Sequence, residues 1–268
     1  MALFNFRIMF VSVFNLIQIC DKIGKEITER RNRLMEKEKV FVVGDVHGQI
    51  TMMEKILTYW NPNEEQLIFL GDLADRGENS KATLELAYDL MNTHDAIVIK
   101  GNHDEMLENF LEYPEIALTQ YYMNGGEKTV DALLNRETKG EDLLDMVAEI
   151  KEKYPWLLPM LKSLPLYYEW GDYLFVHAGV DMQKEHWQDS SKRDFVWIRE
   201  GFYDQPNTTN KKIFFGHTVT STLHSDGSGW EIWQSGDGLY GIDGGAVYGG
   251  KLHGVVLSKT DIIQHYSV

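Results

Sequence analysis

Three short, uninterrupted apolar runs constrain this chain most: KVFVVGD at 39–45, QLIFLGD at 66–72 and AIVIKGNHD at 96–104. Each stops at a glycine followed by charged or amide residues. Alternating apolarity would describe a strand with one wet face. Continuous apolarity describes strands covered on both faces, as in a parallel sheet. The stretches between the runs have helical spacing. Residues 50–60 place Met53, Ile56, Leu57 and Trp60 on one stripe. Residues 80–92 do the same with Leu84, Ala87, Tyr88 and Met91, and Asn79 or Ser80 can cap that helix. Strand–helix–strand–helix–strand implies βαβ units with right-handed crossovers. In such sheets ligands gather beyond the carboxyl ends of the strands, where all three polar clusters fall.

Residues 105–165 read as mostly helical, with Pro155, Pro159 and Pro165 breaking the last part. Lying between two polar clusters, they are expected to form a helical lid. A second set of strand-like runs follows: LYYEW at 166–170, YLFVHAG at 173–179, KKIFFGHT at 211–218, WEIWQ at 230–234, LYGID at 239–243, LHGVVLS at 252–258 and IIQHY at 262–266. One α/β domain over residues 35–268, with two packed sheets, accounts for both sets. The first twenty residues are apolar but interrupted by Asn5, Arg7, Asn15 and Gln18. That argues against a membrane span, which needs roughly 20 mostly apolar residues. Residues 1–34 are expected to be either a helix or an extension upstream of a start at Met35. ERRNRLM can be back-translated as a purine-rich ribosome-binding site followed by a start codon.

The net charge of −15 over 268 residues excludes a general nucleic-acid or anionic-membrane surface, which needs clustered Lys and Arg. Cys20 is the single cysteine, so there is neither a disulfide framework nor a thiolate metal site. A cytoplasmic setting fits that usage. The strand ends carry Asp45, His47, Asp72, Asp75, Arg76, Asn102, His103, His177 and His217. Six of these, Asp45, His47, Asp72, Asn102, His177 and His217, form a carboxylate, amide and imidazole set that suits Mn²⁺, Fe²⁺ or Zn²⁺. Buried carboxylates converging without a cation would repel one another, and two divalent ions remove that difficulty.

GDVHG at 44–48, GDLADRG at 71–77, GNHD at 101–104, HAG at 177–179 and GHT at 216–218 resemble, in order and spacing, the phosphoprotein phosphatase family of calcineurin-like metallophosphoesterases. The similarity runs from about residue 39 to 258. It implies a four-layer α/β/β/α sandwich with a dinuclear metal site at the C-terminal ends of the strands. It also implies roles: Asp45 and His47 on the first metal, Asp72 bridging both, and Asn102, His177 and His217 on the second. A hydroxide between the metals would attack phosphorus in line. Arg76 would grip the phosphate, and His103, supported by Asp75, would protonate the leaving oxygen. Arg199 resembles the family's second phosphate arginine, with Arg193 as a nearby competitor. NGGEKT at 124–129 resembles a bacterial variant in which Asn124 and Gly125 belong to the lid. The sequence departs from the family at Ala74, Asp104, Ala178 and Gly244.

The resemblance implies a bacterial-type serine/threonine protein phosphatase using two divalent ions, Mn²⁺ first and Fe or Zn next. Its partner would be a phosphorylated protein, or a small phosphate ester or nucleotide. The alternative is a symmetrical diadenosine tetraphosphate hydrolase. An inactive phospho-ligand-binding protein is a minor third, set against the presence of every ligand and of His103, Asp75 and Arg76.

Overall fold

The computed structural model describes residues 37–225 and 229–268. The expectation for residues 1–34 lies outside these. Strand β1 (Lys39–Val43), β2 (Glu65–Phe69) and β3 (Ile97–Val98) run parallel in one sheet. β9 (His253–Ser258) and β10 (Ile262–Ser267) complete it antiparallel, in the order β10-β9-β1-β2-β3. The second sheet has the order β4-β5-β6-β8-β7, from β4 (Tyr167–Trp170), β5 (Tyr173–Val176), β6 (Lys212–Phe215), β7 (Trp233–Gln234) and β8 (Leu239–Gly241). Its centre, β5–β6–β8, is again parallel, with β4 and β7 antiparallel on the edges.

The continuous apolar runs are explained by how their residues divide between cores. In β1, Phe41 and Val43 join one cluster while Val40 and Val42 join another; Leu67 and Phe69 divide from Ile68 and Leu70 in the same way. The second cluster lies between the sheets, where Val42, Ile68 and Leu70 meet Tyr173, Phe175, Phe214 and Ile242. Leu174, Val176, Ile213 and Phe215 point to a third cluster on the far side of the second sheet. Three apolar seams define four layers. Side chains at successive positions of a strand face opposite ways, so a strand between two seams has no wet face.

The helices on the first sheet are α1 (Ile50–Leu57), α2 (Ser80–His94), α3 (Asn102–Glu112), α4 (Pro114–Met123), α5 (Glu127–Leu134), α6 (Leu143–Lys153) and α7 (Leu157–Ser163). Asn79 caps α2, its side chain accepting from the Ala82 N–H, as the sequence suggests. Leu107, Phe110, Tyr121, Val130, Ile150 and Leu161 of α3–α7 are buried in the same cluster as Phe41 and Phe69. Most of the stretch expected as a lid is therefore this sheet's helical layer. The fourth layer is thin: helix α8 (Lys192–Trp197), a 3₁₀ turn at Trp187–Asp189, and loops. Among the described residues no helix is long and apolar enough to cross a membrane.

Candidate metal centre

Six parallel strands deliver their following loops to one rim. Asp45 and His47 follow β1; Asp72, Asp75 and Arg76 follow β2; Asn102 and His103 follow β3. From the second sheet, His177 follows β5, His217 follows β6 and Asp243 follows β8. A cleft of about 410 Å³ opens there, its lining including His47, Asp72, Arg76, Asn102, His103, Arg199, His217 and Asp243.

The loops turn sharply. His47, Asp72, Asp75, Arg76 and His217 all have positive φ, between 46° and 74°. Left-handed backbone is costly for side chains with a Cβ and persists where surroundings over-determine it. The Asp72 carbonyl accepts from the Val46 and His47 N–H groups, and the Asp72 N–H donates to Asp104 at 2.9 Å. The glycines serve close approach. A Cβ on Gly216 would collide with Asp45 Oδ1, and one on Gly101 with Asp72 Oδ1. The His217 N–H after Gly216 donates to both Asp45 oxygens, at 3.0 and 3.2 Å.

The donor set fits cations. The His47 Nδ1–H donates to the Ala74 carbonyl at 2.9 Å, and the His177 Nδ1–H to the Leu70 carbonyl at 2.8 Å. Burial pushes both imidazoles down, His47 to about 4, so both are neutral at pH 7 and carry their lone pair on Nε2. Those two Nε2 atoms face opposite oxygens of Asp72, each at 3.5 Å. Two lone pairs aimed at one carboxylate repel unless a cation lies between them. His177 Nε2 and His217 Nδ1 also approach the Asn102 side-chain oxygen, at 2.9 and 2.8 Å. Ligand atoms of His47, Asp72 and His103 lie within 4.8 Å of one another, as do those of Asp72, His177 and His217, with Asp72 common to both groups. Asp45 adjoins the second group through the His217 backbone.

The carboxyls show the same need. Burial pushes Asp45 well above the carboxylate range, helped by the neighbouring Asp243 and Asp72 charges. It also takes Asp104 to about 7 and Asp243 to about 6. Burial works on Asp72 in the same direction, but in acid, where the surrounding imidazoles take up protons, their attraction, that of His177 foremost, holds it below the usual range.

Beside this cage lies a second constellation. Asp75 is fully buried and accepts from His103 Nδ1 at 2.6 Å, which leaves Nε2 for the cleft. Arg76 lines the cleft, its Nη1 donating to His47 Nε2 at 3.2 Å, and its guanidinium lies 5.9 Å from the Tyr248 ring centroid. Arg199 also lines the cleft and donates to the His217 carbonyl at 3.2 Å. Arg193 stacks over Trp197 instead. Asp45, His47, Asp72, Asp75, Arg76, Asn102, His103, His177, Arg199 and His217 thus lie together around this rim. Sequence reasoning passed over Asp243, although it follows a recognised strand run as Asp45 does. It also passed over Tyr121, which has no local signal, and gave Thr129 no role.

Fold, donor set and motif order together define a class: the chain belongs to the calcineurin-like phosphoesterase family, whose pattern matches residues 38–240. It is a metal-dependent phosphoesterase. Among relatives, it is 27% identical to the asymmetrical bis(5'-nucleosyl)-tetraphosphatase PrpE of Oceanobacillus iheyensis, over 80% of this chain and 86% of that protein. It is 25% identical to serine/threonine-protein phosphatase 1 of Salmonella typhimurium, over 80% of this chain and 89% of that one. A protein serine/threonine phosphatase structure from Saccharomyces cerevisiae shares the fold at a TM-score of 0.55 and 17% identity, over 85% of this chain and 75% of that chain. A cold-active protein tyrosine phosphatase does so at 0.55 and 16%, over 87% and 79%.

Proposed function

We propose that the cleft hydrolyses phosphate monoesters, with phosphoserine and phosphothreonine of proteins as the substrate class. The observation that carries this is the charge of the lining. Its cationic side chains are Arg76 and Arg199, with Asp72 and Asp243 beside them. Two guanidinium forks match one phosphoryl group, and a chain of four phosphates finds no further lysine or arginine in that lining.

In this reading Asp45, His47 and Asp72 would hold one divalent ion, and Asp72, Asn102, His177 and His217 the other, with Mn²⁺ the first candidate. When bound, the two ions polarise the phosphate oxygens and lower the pKa of a water positioned for attack. Arg76 and Arg199 orient the phosphoryl group by paired N–H donors. As the water oxygen, having released a proton to solvent, bonds to phosphorus, the ester P–O bond breaks. His103 gives its Nε2 proton to the departing oxygen, and Asp75 holds the ring through Nδ1. The single cysteine is the ground for placing this activity in the cytoplasm.

Similarity to the Oceanobacillus protein favours a second reading, hydrolysis of dinucleoside tetraphosphates. The PrpE relatives are named for asymmetrical cleavage, so that form joins the symmetrical cleavage expected from the sequence within this rival reading. A competition panel of phosphoserine, phosphothreonine and phosphotyrosine peptides against diadenosine tetraphosphate, with Mn²⁺ varied, separates the two. The first reading expects the highest kcat/KM on phosphoserine or phosphothreonine peptides. A higher kcat/KM on the dinucleotide would replace it with the second.

A further inference from the structure

Asp75 is tied to more than His103. Its Oδ1 accepts from the Tyr121 hydroxyl at 2.9 Å and from Thr129 Oγ1 at 2.6 Å. The same Thr129 oxygen receives the Asp75 N–H at 3.0 Å. Tyr121 and Thr129 are fully buried, on α4 and α5. The turn between these helices presses on the next residue: the Gly125 carbonyl accepts from the Arg76 N–H at 3.4 Å, and Lys128 Nζ donates to the Arg76 carbonyl at 2.9 Å. A Cβ on Gly126 would lie 2.5 Å from the Tyr121 ring, and the Phe110 ring packs against it at a centroid distance of 4.9 Å. Helices far along the chain therefore brace two consecutive left-handed residues.

We propose that Tyr121 and Thr129 are positioning residues for the proton-donating His103. With both hydroxyls on Oδ1, only Oδ2 is left to receive the imidazole N–H. The carboxylate cannot rotate, and His103 Nε2 stays aimed into the cleft. Remove one hydroxyl and Oδ1 loses a charge-assisted bond in a dry site, so the carboxylate is free to turn. The inference rests on the phosphomonoesterase reading above.

The test compares Tyr121→Phe, Thr129→Val and Thr129→Ser on p-nitrophenyl phosphate and phenyl phosphate with Mn²⁺, each also in a His103→Ala background. Phenolate is the poorer leaving group and depends more on the proton. The expected result is a fall in kcat of about tenfold on phenyl phosphate, a fraction of a general acid's full contribution. The fall on p-nitrophenyl phosphate should be smaller, with KM unchanged. Thr129→Ser should restore the rate, and no variant should lower the residual rate of His103→Ala. Equal losses on both substrates, or losses that multiply with His103→Ala, would assign the two residues a merely structural role and overturn the proposal. An unchanged rate in folded Tyr121→Phe would do the same, and that variant decides the matter if Thr129→Val does not fold. Failure of the wild-type protein to turn over either aryl phosphate would instead bring down the phosphomonoesterase reading itself.

Discussion

Asp75 and Arg76 sit side by side with φ of 74° and 69°, one pointing its carboxylate inward and the other its guanidinium toward the cleft. Two adjacent residues thereby face a buried imidazole and the open cleft. At this scale the account separates proton donation from metal holding. His103→Ala should lower kcat by roughly 10²- to 10⁴-fold while retaining both metals. Metal content by elemental analysis beside kcat checks this; loss of metal with the rate kept would reverse the assignment. The candidate ligand residues were legible as a cluster because each stands one or a few positions beyond an apolar run, where a glycine marks the turn. Asp243 stands in the same relation to β8, and the signal lay in that shared position. Tyr121 was not legible: it reaches Asp75 across 46 residues of chain, and a tyrosine between Gln120 and Tyr122 carries no mark of its buried hydroxyl bond.

At the scale of elements, Gly101 and Gly216 are spacers for the carboxylates of Asp72 and Asp45. Gly216→Ala would drive a Cβ into Asp45 Oδ1. It should weaken metal binding in a calorimetric titration more than it lowers the melting temperature of the metal-free protein; unchanged metal affinity would deny Gly216 that role. The β9–β10 pair carries a different feature. The His253 Nε2–H donates to the Trp230 carbonyl at 2.5 Å, and its Nδ1 meets His265 Nε2 at 2.9 Å. Burial pushes His253 down to about 4, with His265 and Lys251 adding to the effect and the Trp230 bond and Glu231 opposing it. The folded pKa lies below the unfolded value, so the neutral form stabilises the fold. That contribution is full above about pH 6.5 and falls toward pH 4, as the unfolded chain takes a proton that the fold refuses, costing up to about 3 kcal/mol. Denaturant unfolding across that window should show a slope about one proton smaller in His253→Gln; an unchanged slope would place the titration elsewhere. Element order and strand positions were legible from apolar runs. The brevity of β3, two residues inside a longer apolar run, was not, because periodicity reports burial and leaves ladder pairing open.

At the scale of the whole molecule, two sheets share one apolar seam and bring six strand ends to a common rim. The layered fold was legible because runs apolar at every position demand cover on both faces. The role of residues 105–165 was harder to read. Amphipathic helices look alike whether they cover a sheet or a substrate, and only tertiary packing shows α3–α7 doing the former while the Asn124 turn reaches the cleft. In the proposed function, separate loops cage two divalent ions through one shared carboxylate. Mn²⁺ titration of the wild-type protein and of Asp72→Asn tests it most directly. The account predicts two ions per chain in the wild type and weakening of both together in the variant. A wild type that binds fewer than two, or a variant that keeps one ion at unchanged affinity, would contradict it.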